Sequence, residues 1–338
     1  MTTAPARLAE SGNRASRSRF TATSDSRRDG AGGQRASIGL VPRPTALLTI
    51  DVEDWHQLVH RRLGREDWDR ARPEFPRQME TLFALLDELG ASATMFLLGM
   101  TVERYPEVTR EISERGYEIG SHGYAHGRVF TQTETEFRDD VTRSIDAIGE
   151  VTGKRPAGYR APEFSINRDT PWAYDVLADI GFEYDSSQHE NRRIPNRITP
   201  VPGSPYRIEL PSGKSLWELP TPSVRRVPVG GGAYWRLFPA PVIVRALATM
   251  SLPILYFHPY EFDPLPLRAE LPDGLGTKQR MTAVSRQMLR NPGRGLIAAR
   301  LRKVARQFQL TSFEEAHDQI EREHGASTRA LSPQGILV

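Results

Sequence analysis

The chain has 338 residues, a formal net charge of +3, 38% hydrophobic residues and no cysteine. That length suits one large domain with decoration, or two domains, and the missing thiols exclude disulfides and thiolate ligands, so any metal must be held by His, Asp or Glu. The positive excess does not point to a nucleic-acid partner, because residues 1–40 carry seven Arg against Glu10, Asp25 and Asp29, which accounts for all of it.

Residues 1–44 read as a disordered basic leader. They are rich in Ser, Arg, Gly, Ala and Thr and have too few large apolar side chains to offset ordering entropy. They lack the apolar run of a secretory signal, and no stretch of the chain reaches the length of a spanning helix, so no transmembrane segment is expected.

Order is predicted from Thr45. Ala46–Ile50 is a short apolar run that ends in acids, as a buried strand does when it delivers polar groups at its C-terminal end. Met79, Leu82, Phe83, Leu86 and Leu89 have helical spacing over 74–89, and Gly90 stops that helix. Ala93–Leu98 reads as a second strand, 104–115 as a helix ended by Gly116, and Tyr117–Gly120 as a third strand. Thr133 and Glu136 fit a capping box ahead of a helix lined by Phe137, Val141, Ile145 and Ile148 and ended by Gly153. A brief strand at 157–160 and a helix through Trp172, Val176, Leu177 and Ile180 follow. Residues 190–235 are dense in Pro and Gly and read as loop-rich wall with short strands at 207–210 and 216–219. Ile254–Phe257 is the last buried strand. After about 265 the pattern becomes basic and helical, with Ile297, Leu301, Val304 and Phe308 on one face. A membrane-surface helix and a helix packed on the domain with a solvated basic face both fit it.

Alternating strands and helices predict an α/β fold with mostly parallel strands. The polar clusters sit just after strands, where such folds build their sites: Asp51 after the first, His122 after the third, Arg160 after the fourth. Taken together, Asp51, Glu53 and Asp54, His122 and His126, Arg160, Asp185 and His258 contain the parts for metal-assisted hydrolysis of an amide or ester. A carboxylate and two imidazoles can hold a metal with an open position, a second carboxylate can take a proton, an Arg can fix it, and a further His can supply a proton to the leaving group. There is no Gly-x-Ser-x-Gly and no phosphate loop. His56, His60, His189, His317 and His324 read as surface residues.

Five segments in order carry a resemblance. They are Thr49-Ile50-Asp51-Val52-Glu53-Asp54, Ser121-His122-Gly123-Tyr124-Ala125-His126, Gly158-Tyr159-Arg160-Ala161-Pro162, Tyr184-Asp185-Ser186-Ser187 and Leu255-Tyr256-Phe257-His258-Pro259. This set resembles the motifs of the polysaccharide deacetylases, the NodB-homology group or carbohydrate esterase family 4, over roughly residues 45–265. The Asp-Val-Glu-Asp-Trp opening, Tyr234–Leu237 and the basic C-terminal region further resemble the subgroup found with exopolysaccharide-locus, PEP-CTERM-associated deacetylases. The resemblance implies a distorted (β/α)7 barrel with a loop-rich insertion and a basic helical C-terminal extension over 266–338. It implies a divalent metal, Zn²⁺ or Co²⁺, and an acetylated polysaccharide substrate. It assigns Asp51 as general base, His122 and His126 as metal ligands, Arg160 as the group that holds Asp51, His258 as general acid and Asp185 as a candidate for tuning it.

Two departures stand out. The commonest first motif has adjacent aspartates, and here Val52 occupies the ligand's place. Strand alternation points Asp51 and Glu53 the same way, which makes Glu53 the expected third ligand, with Asp54 the alternative if the chain bulges. In the third motif Glu163 stands where a Tyr often follows Pro. The other readings are a catalytically weak carbohydrate-binding or assembly protein and a different metal amidohydrolase on the same barrel. A cytoplasmic location at the inner membrane face, with peripheral association, is the expected setting.

Overall fold

The computed structural model describes residues 43–189, 195–198, 201–224, 227–232, 234–271 and 274–338. The expected basic leader, apart from its last two residues, lies outside the described residues, as do parts of the loop-rich stretch. Among the described residues, twelve strands and eleven helices follow in chain order. They begin with β1 (Thr45–Val52), α1 (Trp55–Arg62), α2 (Glu74–Leu89), β2 (Thr94–Leu97), α3 (Gly99–Arg104), α4 (Pro106–Glu114), β3 (Glu118–Ser121), α5 (Glu134–Thr152), β4 (Gly158–Tyr159), α6 (Trp172–Ile180) and β5 (Tyr184–Asp185). The chain continues through β6 (Tyr206–Glu209), β7 (Ser215–Glu218), β8 (Ser223–Val224), β9 (Val227–Pro228), α7 (Tyr234–Leu237), α8 (Ala240–Leu247) and β10 (Ile254–Phe257). It ends with α9 (Thr277–Arg290), α10 (Leu296–Ala305), β11 (Gln309–Thr311), α11 (Phe313–His324) and β12 (Thr328–Ala330).

The main sheet runs β10-β1-β2-β3-β4-β5-β7-β6-β12, with β11 added beside β1. Neighbours from β10 to β7 pair in parallel, and β6 joins β7 antiparallel. Among the described residues no ladder joins β10 to β12, so hydrogen bonds do not close the expected barrel. The sheet nevertheless curls around a filled hollow. Leu47, Phe96, Tyr184, Trp217 and Ile254, from five strands, form one buried cluster, and Phe313, Ala316 and Ile320 of α11 plug it. Two glycines make room for the rings. A Cβ on Gly120 would meet the Phe96 ring at 2.5 Å, and one on Gly158 would meet Tyr184 at 1.9 Å. At the bottom of the hollow the Glu118 carboxylate accepts from Thr94 Oγ1, Tyr184 Oη and the Glu314 amide of α11.

Outside the sheet, β1 alternates against a helical layer. Leu48 and Ile50 join Phe75, Met79, Leu82, Phe83 and Leu86 of α2 in a large buried cluster. A second cluster packs Phe137, Val141 and Ile145 of α5 and Ala173, Val176 and Leu177 of α6 on Tyr159, Tyr206 and Ile208. Helix α2 ends on left-handed Gly90, and α5 opens on the Thr133–Glu136 capping box and ends on left-handed Gly153, as their sequences predict.

Three features differ from the sequence-based expectation. The helix expected at 104–115 is α4, and a separate short helix, α3, precedes it; the two are divided at Tyr105 (φ −130°), because Pro106 cannot donate a backbone N–H and disfavours helical geometry in the residue before it. The basic helix α10 turns Ile297, Leu301 and Val304 into the main core, so that stripe is packing and not a lipid-facing surface. Finally, the stretch 266–338 holds three helices and also two strands, of which β11 pairs with β1 and β12 with β6. No helix among the described residues is long and apolar enough to cross a membrane.

Candidate metal centre and acid–base site

The site lies at the C-terminal ends of β1, β3, β4 and β10. Strand β1 points Leu47, Thr49 and Asp51 into the hollow, and Glu53 follows on the same side through a Glu53 N–H to Asp51 O bond of 2.9 Å. Glu53 Oε1 lies 3.2 Å from His122 Nε2 and 2.9 Å from His126 Nε2, while Glu53 Oε2 is 3.6 Å from His258 Nε2. Asp54 turns away. It caps α1 by accepting from His56 N at 2.8 Å, and it accepts from the buried Tyr105 hydroxyl at 2.6 Å. Glu53, not Asp54, is therefore the acid that faces the imidazoles.

The two histidines are fixed by different means. His122 Nδ1 lies 2.7 Å from the Arg160 carbonyl, a bond it can only donate, which leaves the Nε2 lone pair facing Glu53. His126 sits on a tight loop and adopts a left-handed backbone (φ +55°) that a non-glycine residue seldom holds. Asp140 of α5 braces that loop by accepting from Tyr124 N at 2.8 Å and Ala125 N at 3.2 Å. A Cβ on Gly123 (φ +77°) would strike the same carboxylate at 2.7 Å, so glycine is required there.

Arg160 is fully buried and donates from all three guanidinium nitrogens. Its Nη1 donates to Asp51 Oδ1 at 2.7 Å and to Thr49 Oγ1 at 2.8 Å, its Nε to Ser186 O at 3.1 Å and its Nη2 to Ser186 Oγ at 2.8 Å. Its face covers the Phe96 ring at 4.3 Å. Asp51 is therefore held by one oxygen while Oδ2 points toward His122, 4.0 Å from Nε2. His258 closes the opposite side. Glu261, on the following 3-10 turn, lies 3.1 Å from its Nδ1 and accepts from its backbone N–H at 3.0 Å. Tyr260 stacks on the ring at 4.9 Å. Burial disfavours the charged ring, but Glu53, Glu261 and Asp51 outweigh it and raise the pKa of His258 above the ordinary value. Burial likewise opposes ionisation of Glu53, yet the surrounding imidazoles hold it well below the usual carboxylate range.

Of the sequence-predicted residues, Asp51, Glu53, His122, His126, Arg160 and His258 converge. Asp185 does not. Tyr184 fills the hollow, so the next residue on the strand faces outward, where Asp185 accepts from Ser187 N at 2.9 Å and Ser187 Oγ at 2.6 Å. The partner of His258 is Glu261, three residues on, which sequence reasoning passed over although the i, i+3 spacing was visible. Thr49, Asp140 and Ser186 were also missed, since short polar side chains leave no periodic signal. Glu163 sits at the rim, paired with Arg62 and with Arg128 at 2.7 Å. Four of the five histidines expected at the surface are buried: His56, His60, His189 and His324.

The donor set fits a divalent ion. One carboxylate oxygen and two imidazole nitrogens lie within 4.8 Å of one another on Glu53, His122 and His126. The His122 tautomer presents a free lone pair, and three such ligands leave a position open for substrate.

The polysaccharide deacetylase family profile matches residues 67–184, and a domain of unknown function (DUF3473) matches 186–318. A peptidoglycan deacetylase of Helicobacter pylori is 32% identical over 114 residues, 34% of this chain and 38% of that protein. A peptidoglycan-N-acetylglucosamine deacetylase of Bacillus cereus is 31% identical over 93 residues, 26% of this chain and 34% of that protein. The chain thus spans little more than a third of the length of these curated relatives. A solved structure described as a putative polysaccharide deacetylase, from Mycobacterium smegmatis, shares the fold with a TM-score of 0.55 at 21% identity, over 84% of this chain and 93% of that one. Puue allantoinase does so with a TM-score of 0.51 at 16% identity, over 88% of this chain and 100% of that one. The chain carries a domain of the polysaccharide deacetylase family, the NodB-homology group or carbohydrate esterase family 4.

Proposed function

We propose that the chain is a metal-dependent hydrolase that removes acetyl groups, N-acetyl rather than O-acetyl, from a bacterial polysaccharide or its precursor. The observation that carries this reading is the convergence of Glu53, His122 and His126 beside the Arg160-held Asp51, with His258 facing them. The named activities of the peptidoglycan, N-acetylglucosamine and chitin deacetylases among the relatives support the substrate class.

A Zn²⁺ or Co²⁺ ion held by Glu53, His122 and His126 would supply Lewis-acid polarisation of an acetyl carbonyl and of the attacking water. Asp51 Oδ2 is the general base, since Arg160 occupies the other oxygen and fixes the carboxylate's direction. His258 Nε2 is the general acid. Glu261 at Nδ1 keeps a proton on the ring and orients the opposite nitrogen toward the leaving group. Asp185 acts at one remove, because the Ser187 hydroxyl it holds accepts from the Ala161 amide at 2.8 Å, next to Arg160. We place the protein in the cytoplasm at the inner face of the membrane, where polysaccharide precursors are assembled.

The test is acetate release from N-acetylglucosamine oligomers by the purified chain, before and after chelation and after metal is restored. Activity is expected to vanish with the metal and to return with Zn²⁺ or Co²⁺. Full activity after verified metal loss overturns the proposal, and glycan binding without any acetate release favours a binding protein.

A further inference from the structure

The helix α9 departs from the pattern of the rest of the molecule. Of its 14 residues only Ala283 is buried. Met281, Met288 and Leu289 are 68%, 69% and 73% exposed, and Val284 is 37% exposed. At about 100° per residue these four side chains share an arc of about 140°, opposite Ala283. The inward face is satisfied without them. Gln279 donates to the Leu63 carbonyl, Gln287 accepts from the Ala269 amide, and the Arg290 guanidinium covers the Tyr260 ring at 5.6 Å. The helix is therefore docked by its polar side, and its apolar side faces solvent, the reverse of an ordinary surface helix.

The apolar patch extends beyond the helix. Arg236 donates to the carbonyls of Leu289 and Arg290, both at 2.8 Å, which holds the neighbouring α7 turn against the C-terminal end of α9. That turn carries Leu237, 73% exposed, and Leu296 just beyond α9 is 48% exposed. Along this stretch of the chain the charge has one sign, with Arg302 paired to Glu88 of α2. Between Gly274 and Arg306 there are nine Lys and Arg and no Asp or Glu. On α9 itself Arg280, exposed, and Arg286, half-buried, flank the apolar arc on either side, and the exposed Lys278 stands at its N-terminal end, one turn before Met281.

We infer that this surface docks on an anionic lipid bilayer, with Met281, Val284, Met288 and Leu289 entering the acyl boundary and Lys278, Arg280 and Arg286 meeting the headgroups. The charge pattern decides among occupants. A second copy would oppose like charge to like charge. An acidic polymer would use the cations and leave four large apolar side chains in water. An anionic bilayer satisfies both features, since apolar insertion and headgroup attraction add for interfacial helices. The geometry also carries the site to the membrane, because Arg290 covers Tyr260 and Tyr260 stacks on His258. Resting on the proposed deacetylase reading, this points to a membrane-associated acetylated glycan as substrate.

Flotation of the full chain with vesicles tests the docking independently of catalysis. Binding is expected to phosphatidylcholine vesicles containing phosphatidylglycerol, to be at least tenfold weaker to pure phosphatidylcholine, and to weaken with salt. The Met288→Glu, Leu289→Glu double variant should lose at least tenfold in binding with an unchanged melting temperature and unchanged acetate release from a soluble oligomer. Lys278→Glu with Arg286→Glu should remove most of the salt dependence. Equal binding to both vesicle types, no binding to either, binding to an acidic polysaccharide but not to vesicles, or a dimer that Met288→Glu dissociates would each overturn the inference. Loss of acetate release with vesicle binding retained would instead count against the deacetylase reading alone.

Discussion

Replacing Glu218 by Gln should change how the stability of this protein depends on pH. Glu218 and Asp185 are register neighbours on β7 and β5 and are both fully buried. Glu218 Oε1 accepts from Gln188 N at 3.0 Å, and Asp185 uses both oxygens on Ser187. Glu218 Oε2 meets no N–H or O–H among the described residues and is turned to the Asp185 carboxyl. Two carboxylates in contact and out of water cannot both ionise, so the pair keeps a proton. Burial raises Asp185 to about 6 and Glu218 well above the usual range. In the unfolded chain both acids titrate near pH 4. A folded-state pKa raised above the unfolded one means that folding takes up a proton, so stability is present at low pH and is lost as pH rises past about 4. With one proton taken up, the loss is about 1.4 kcal/mol per pH unit for as long as the folded pair keeps that proton. The carboxamide introduced by Glu218→Gln would donate an Nε2–H to Asp185 permanently and keep the Gln188 bond, with no proton to find. The stability difference between E218Q and the parent should therefore grow in the variant's favour as pH rises above about 5, by about 1.4 kcal/mol per pH unit while the parent's pair still holds its proton. Urea unfolding of both proteins at several pH values, with metal held constant, measures this difference, and other titrating groups cancel from it. A difference that is flat in pH, or that slopes the other way, would refute the shared proton.

Two further substitutions separate roles that the first motif leaves entangled. Glu53→Gln should lower zinc retention after dialysis at least tenfold while the fold persists, because Glu53 faces both imidazoles. Asp54→Asn should leave zinc content unchanged and cost about 1–2 kcal/mol in denaturant unfolding, since it weakens a helix cap and a buried hydroxyl bond; equal zinc loss in both variants would contradict the assignment. Glu261→Gln should move the alkaline limb of the pH profile of kcat/KM to lower pH, because Glu261 helps to raise His258 and a general acid must still hold its proton.

Much of the fold and most of the site were legible because they rest on local rules. Strand β1 announces itself by an apolar run that breaks into acids, and α2 and α5 by helical spacing closed with Gly90 and Gly153. The alternation of a strand was enough to put Asp51 and Glu53 on one side. What could not be read depends on distant partners. Strands β11 and β12 have three residues each, too few for a period, and exist because the start of β1, which β2 does not reach, and the outer edge of β6 are open to pairing by segments more than a hundred positions away. Helix α11 has a readable apolar stripe in Phe313, Ala316 and Ile320, but nothing local tells that the stripe plugs the hollow of the sheet. His56 and His60 looked like surface residues for a similar reason, since α1 is polar by composition and is buried by what lies over it.

The outward turn of Asp185 changes how the site is seen to be held. The segment after β4 carries Arg160 and Ala161, and the segment after β5 carries Ser186 and Ser187. Inside the hollow, Ser186 takes two bonds from Arg160, which leaves the guanidinium one direction in which to meet Asp51. Outside it, Asp185 orients the Ser187 hydroxyl, and that hydroxyl anchors the Ala161 amide. Glu218 holds the next amide, Gln188, and so pins the same segment from a third strand. The direction of Asp51 is thus fixed from both faces of the sheet, and half of that grip is a carboxyl pair that costs stability as pH rises. Such a cost is tolerable where misdirecting a base by a fraction of an ångström removes more rate than a few kcal/mol of folding free energy removes protein. On that reasoning the stability gained by E218Q at neutral pH should come without a gain in kcat, and with a fall in kcat if the amide shifts Gln188 and Ser187.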